Sequence, residues 1–296
     1  MSQQEVWTIK RLLEWTTDRF AKQSIESAQL EASLLLAAAM ECKRIEIFMM
    51  YESIPAEPVL TRFRGFVKRR IAEEPVAYIL GVREFFSLPF EVNKNVLIPR
   101  PETEDLVVKA LDILKTLPEG SCPRICDAGT GSGAVAVAVA KNWAKHLAVP
   151  SEENKIIAVD IDENALSIAK ANAEKNGVAQ RIEFIFSDLL ENTEGMFDVI
   201  VSNPPYISQS EYDLLPPLVK NYEPQRALLA GPKGTEIIEI LAKQALEKLN
   251  AGGTLLMEIS PFIADSVREI LLPEWNEVEI LKDSFNRDRI AVAVKR

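Results

Sequence analysis

The chain has 296 residues, 47% of them hydrophobic, with 34 basic against 44 acidic side chains and a formal net charge of −10. Length and composition are those of a soluble globular protein with room for two cores, which excludes a disordered or low-complexity chain. The acidic balance argues against a grip on duplex DNA or long RNA, since that needs a basic face to neutralise phosphates.

At the amino terminus, "MSQQEVWTIKRLLEW" lacks the basic-then-apolar layout of a signal peptide, and Glu5 and Glu14 argue against a transit peptide. The longest apolar run, "LLLAAAM" (Leu34 to Met40), falls far short of the ~20 residues that cross a bilayer. A cytoplasmic protein with no membrane association is the expectation. Residues 1–82 read as helices. Val6, Ile9, Leu12, Leu13 and Trp15 recur near helical spacing, Ser24 to Glu31 introduces "LLLAAAM", and Arg44 to Met50 and Val59 to Ala72 continue around the loop "ESIPAEP". The basic "RFRGFVKRR" (62–70) reads as the wet face of the last of these helices.

Residues 83–100 read as a structured linker. Alternation at Phe86, Leu88, Phe90 and Val92 predicts a β-hairpin turning at "NKN" (93–95). A helix follows, with Pro101 in its first turn and Glu102, Glu104 and Asp105 at the positive end of its dipole. Cys122 and Cys126 sit four apart, but a structural zinc needs four ligands and the only histidine is His146. They read as buried thiols at a strand edge, His146 as a surface or helix-end residue, and no metal is expected.

From residue 124 strands and helices alternate. The strands are "RICDAG", "KIIAVDI", "IEFIFSD", "FDVIVSN", "TLLMEIS", "EVEILKD" and "RIAVAVK", with helical patterns near 134–147, 163–176, 211–220 (broken) and 235–249. Such alternation predicts a parallel sheet covered on both faces, and the short turn "SFNRD" makes the last two strands antiparallel. The expected fold is α/β, Rossmann-like, with seven mostly parallel strands over residues 101–296.

"RICDAGTGSGAVAVAVA" is a strand, a glycine turn and a helix start. Its spacing, G-x-G-x-G after Asp127, is neither the dinucleotide G-x-G-x-x-G nor a Walker loop with its lysine. An acid beside the loop suits a ligand whose end is cationic and carries no phosphate, which points to S-adenosyl-L-methionine over NAD. Gly129, Thr130, Gly131, Ser132 and Gly133 form the loop. Asp160 ends the second strand where it can accept ribose hydroxyls, and the third ends at Asp188, near an adenine amino group, with Leu189 as an apolar wall. All lie at carboxyl ends of strands, where open α/β sheets bind ligands.

Just past the fourth strand comes "NPPY". A planar amino nitrogen, in an amide or on a base, is a poor nucleophile. Two acceptors on its two N–H groups would hold it in line with a methyl donor. Asn203 can supply a side-chain oxygen and Pro204 a carbonyl, the latter fixed because Pro205 restricts its predecessor. Tyr206 offers a ring to stack on the substrate. Positioning and electrostatics then suffice without a strong base. Both a protein amide and an adenine N6 amine fit this corner.

"DAGTGSG" with "NPPYI" resembles class I amino-methyltransferases. The stretch "PVAYILGVREFFSLPFEVNKNVLIPRPETE" (75–104) narrows the resemblance to the peptide chain release factor glutamine methyltransferases, the PrmC/HemK family. The resemblance covers nearly the whole chain. It implies methylation of N5 of the glutamine in the Gly-Gly-Gln loop of class 1 release factors. It also implies a helical recognition domain (1–82), a cofactor lined by Gly129 to Gly133, Asp160, Leu189 and Asn203, and a glutamine held by Asn203 to Tyr206. Arg100, Thr103 and Glu104 are carried over as residues ordering the linker over the pocket, Arg100 and Glu104 on the substrate side. A monomer without direct nucleic-acid contact is expected; a DNA or RNA base amino-methyltransferase is the alternative. The chain departs from the family's usual text at Ala128, at "GPKGTEII" (231–238) and at "MEISPF" (257–262), and neither of the latter stretches is expected to touch the chemistry directly.

Overall fold

The computed structural model describes residues 6–118, 121–143, 156–283 and 285–296; His146 lies outside them. The chain divides into two compact units, one reaching Gly81 and including Pro217–Tyr222, the other comprising the rest.

In the first unit, helices α1 (Ile9–Ala21), α2 (Ala28–Met40), α3 (Arg44–Met49), α4 (Glu57–Ile71) and α5 (Val76–Leu80) surround one apolar core. Thr8 caps α1, its hydroxyl accepting the Arg11 N–H at 3.3 Å. Ile9, Phe20, Leu35, Leu36 and Ile47 are fully buried, which explains why α2 is apolar nearly all round. The basic run on α4 is only partly wet. Arg62, Arg64, Lys68 and Arg69 are exposed, but Arg70 turns inward and its Nε lies 2.6 Å from Glu31 Oε2. A guanidinium this buried requires a partner, and α2 supplies it.

The second unit opens with a hairpin, β1 (Val82–Phe85) and β2 (Leu88–Glu91). Its turn is Phe86–Ser87, not residues 93–95, and both turn residues have positive φ, 51° and 58°. A two-residue hairpin loop needs this mirror-image geometry, usually supplied by Asn-Gly. The expected alternation therefore runs across the turn. Phe85 and Phe90 face the core edge to face at 5.9 Å, while Phe86 occupies the bend. Helix α6 (Thr103–Thr116) begins two residues later than Pro101 suggests, because Pro101 lies in the preceding turn.

The strands β3 (Ile125–Ala128), β4 (Ile156–Asp160), β5 (Ile182–Phe186), β6 (Phe197–Ser202), β9 (Leu249–Glu258), β10 (Glu277–Lys282) and β11 (Asp288–Val294) form the seven-stranded sheet; the short β7 (Ile207–Ser208) and β8 (Leu229–Gly231) pair apart from it. The order is β10-β11-β9-β6-β3-β4-β5, parallel except that β11 runs antiparallel to both neighbours. Alternate residues feed two cores. Ile125, Val199 and Val201 pack with α6 and α7 (Ala134–Trp143), and Cys126, Ile200 and Leu255 with α11 (Glu236–Lys248) and α12 (Ala264–Leu271). Cys126 is fully buried, and burial holds its thiol well above the ordinary value, whereas Cys122 is exposed and not a core thiol. The predicted broken helix resolves into α9 (Gln209–Asp213) and α10 (Pro217–Lys220).

From β3 the chain steps outward through β4 and β5, then returns to place β6 on the other side of β3. The carboxyl ends of β3 and β6 therefore flank a topological switch point, the place where such sheets leave a crevice. Ser202 Oγ donates to Ala128 O at 2.7 Å and ties the two strand ends together. Helix α8 (Glu163–Lys175) carries Asn172, fully buried, which fastens the hairpin to this edge. Its Oδ1 accepts the Glu91 N–H at 2.6 Å, and its Nδ2 donates to Glu91 O at 3.0 Å and to Ser132 O at 2.9 Å.

Candidate active site

A cavity of about 290 Å³ opens at the switch point. One bank is the loop after β3. Gly129, Gly131 and Gly133 have φ of 73°, 55° and 80°. A Cβ on Gly129 or Gly131 would meet no protein atom within 4 Å, so both border open space, whereas Gly133 abuts Ala169 at 3.1 Å and is needed for helix packing.

The amides of Gly129, Thr130 and Gly131 are already engaged. The N–H groups of Gly129 and Thr130 donate to Val159 O at 2.9 and 2.8 Å, and that of Gly131 donates to Asp160 Oδ2 at 2.8 Å. A pyrophosphate site would leave such donors free. Instead the bank offers carboxylates. Asp127 is buried, and its Oδ2 accepts from Thr130 Oγ1 at 2.7 Å and the Ala136 N–H at 3.0 Å. Burial pushes it up to about 6 against the pull of those two donors, and nearby Asp160 adds to the rise. Asp160 also accepts the Asp162 N–H on Oδ1 at 2.9 Å, so each oxygen keeps an acceptor lone pair; burial raises this carboxyl too. Asp188 and Leu189 line the cavity, and Leu189 sits at φ 48°, a strained conformation for a branched residue. A nucleoside ligand with a cationic end and no phosphate fits these residues.

The other bank is the corner after β6. Asn203 Nδ2 donates to Thr103 Oγ1 at 3.1 Å, Thr103 Oγ1 donates to Glu258 Oε2 at 2.6 Å, and the Tyr206 hydroxyl donates to Glu258 Oε1 at 3.1 Å. Glu258 is 1% exposed. Burial raises its carboxyl, while the two hydroxyls and the Arg289 charge pull it back; burial likewise raises the Tyr206 phenol. Gly234, at φ 88°, lets its loop approach the corner, since a Cβ there would stand 2.8 Å from Tyr206 O.

Asp127, Gly129, Thr130, Gly131, Ser132, Asp160, Asp188, Leu189, Asn203, Pro205 and Arg100 all line the one cavity. Pro204, Tyr206, Gly133 and Glu104 do not line it. Pro204 is buried, the Tyr206 hydroxyl is drawn to Glu258, and Glu104 Oε1 accepts the Phe86 N–H at 2.8 Å, bracing the hairpin turn. Arg100 is held by Glu223, whose buried carboxylate also takes the Ile98 N–H at 3.1 Å. Arg226, which also lines the cavity, lies 3.2 Å from Asp162. Sequence reasoning missed Glu258 and Glu223. Both divergent stretches, 231–238 and 257–262, do reach the corner, through Gly234 and Glu258. A lone carboxylate inside the apolar run "TLLMEIS" was the available signal. Among the described residues no group of acids, cysteines or histidines could hold a metal.

Two family descriptions match the chain, the PrmC N-terminal domain over residues 11–81 and the methyltransferase small domain over residues 109–222. The release factor glutamine methyltransferase of Rhodopirellula baltica is 46% identical over 290 residues, 96% of this chain and 95% of that protein. The chain belongs to the release factor glutamine methyltransferase family. The family member from Chlorobaculum tepidum is 35% identical over 98% of both chains. Among solved structures, the hMettl16 catalytic domain in complex with MAT2A 3'UTR hairpin 6 aligns with a TM-score of 0.55 at 17% identity, over 76% of this chain and 81% of that one. That likeness concerns the fold alone. As a release factor glutamine methyltransferase the chain is an enzyme, and the two-banked cavity is its candidate active site.

Proposed function

We propose that this enzyme methylates N5 of the glutamine in the Gly-Gly-Gln loop of class 1 peptide chain release factors, using S-adenosyl-L-methionine. The observation that carries the reading is the pairing of a cavity lined by Asp127, Asp160 and Asp188 with the Asn203–Pro204 corner at a single switch point. S-adenosylmethionine bound there would supply a methyl group on a cationic sulfur. Asp127 faces the cationic end of that ligand, Asp160 takes the ribose hydroxyls on its two free lone pairs, and Asp188 and Leu189 receive the adenine. Asn203 Oδ1 and the Pro204 carbonyl accept the two N–H groups of the glutamine amide and hold its nitrogen in line. The proton leaves easily once the nitrogen becomes positive, so no strong base is required.

Arg100 stands on the substrate side of the cavity. Tyr206, with its hydroxyl on Glu258, gives the corner a fixed ring rather than a mobile one. We place the enzyme in the cytoplasm as a monomer that meets the release factor without nucleic acid. No helix among the described residues is long and apolar enough to cross a membrane. The test offers the purified enzyme and labelled S-adenosylmethionine to each class 1 release factor and, separately, to DNA and RNA. Label on the loop glutamine is the expected outcome. Label on nucleic acid with none on any release factor overturns the proposal.

A further inference from the structure

We infer that Thr103 and Glu258 are positioning residues that dictate which end of the Asn203 carboxamide faces the substrate. The inference rests on the proposed reaction at this corner. The two ends of a carboxamide are nearly identical in shape, so packing cannot select between them; only the polarity of a hydrogen bond can. The required polarity is strict. An oxygen towards the substrate accepts an N–H of the glutamine amide, whereas an NH2 group there would set donor against donor.

The chain of contacts fixes the answer from its far end. Ionised Glu258 is acceptor-only, and it is buried, with Oε1 taken by the Tyr206 hydroxyl. The single proton of the Thr103 hydroxyl goes to Glu258 Oε2 at 2.6 Å. What remains on Thr103 Oγ1 can only accept, so the atom of Asn203 that stands 3.1 Å away is the amino nitrogen. Oδ1 is thereby turned away from Thr103. Polarity passes from the end of β9, through the first residue of α6, to the tip of β6. These three elements are far apart in sequence. Burial raises the Glu258 carboxyl, and the Thr103 and Tyr206 hydroxyls with the positive charge of Arg289, on β11, pull it back towards the ionised form. Tyr206 hangs from the same carboxylate, so one buried anion sets both the amide and the ring of the corner.

Thr103→Val keeps the side-chain shape and removes the relay. Its kcat should fall about tenfold or more, the loss expected for one well-placed hydrogen bond, with KM for the release factor and affinity for the cofactor product unchanged within about twofold. Thr103→Ser should restore most of the turnover. Glu258→Gln keeps the volume but is no longer acceptor-only, and it should lower kcat with the same unchanged KM. A second readout needs no turnover. In wild type the side-chain NH2 protons of Asn203, identified by their absence in Asn203→Asp, should exchange slowly with solvent, and Thr103→Val and Glu258→Gln should lose that protection. Wild-type kcat and wild-type exchange in folded Thr103→Val or folded Glu258→Gln overturns the inference. Should the wild-type enzyme fail to label any release factor, the reaction assignment falls while the exchange measurement still decides the relay.

Discussion

The two banks of the cavity are built from different materials. On the glycine side, backbone does the shaping. Positive φ at Gly129 and Gly131 opens the space, and the amides of Gly129, Thr130 and Gly131 are turned inward onto Val159 and Asp160. On the corner side a carboxamide is held by a hydroxyl, and that hydroxyl and a phenol both donate to one buried carboxylate; α6, β9 and the residues just past β6 contribute these groups. A bank of backbone is written locally, in a few consecutive residues. A bank of side chains is assembled from distant ones, and a change in one member is felt by the others through the carboxylate they share.

The largest effect should come from Asn203→Ala, which removes a substrate acceptor. Turnover should fall by about 10²–10³, while calorimetry finds the cofactor product bound within a few-fold of wild type. Loss of both together would merge the banks. Next in size is Asn172→Ala, which strips partners from the Glu91 N–H and from the carbonyls of Glu91 and Ser132. With buried groups left unpaired it should cost roughly 2–3 kcal/mol of stability, seen as a lower denaturant midpoint, and it should loosen the hairpin and the glycine bank together. An unchanged midpoint would separate them. The smallest effect is a pH dependence confined to the glycine bank. Asp127 is held up to about 6, so lowering the pH through that value protonates it and removes a negative charge facing the ligand. Cofactor affinity should fall a few-fold below about pH 6 and level off above it, and Asp127→Asn should flatten the profile. A wild-type profile without this fall would move the cationic end of the ligand away from Asp127.

This difference in materials also decides what could be read from the text. The seven strands, their order of appearance and the antiparallel final pair were legible, because apolar runs and short turns encode them locally. So were the glycine loop and the acids at the strand ends. The hairpin was legible as a hairpin but not in register. Phe-Ser is a poor sequence for a turn with two positive φ values, and Glu104, eighteen residues on, supports it. Arg70 was misread as surface for the same reason, since its partner Glu31 lies on another helix. Glu258 stands out in sequence only as a lone carboxylate in an apolar strand, and nothing near it reveals that a hydroxyl and a phenol converge on it.

Thr103 and Glu104 are adjacent, yet the first reaches the carboxylate beneath the corner and the second reaches the bend at Phe86. The opening turn of α6 is therefore a shared datum for the corner after β6 and for the bend of the hairpin. Each residue advances a helix by about 100°. A single insertion directly after Glu104 would turn both groups by that angle relative to the buried Leu106 and Val107, taking both off their targets at once.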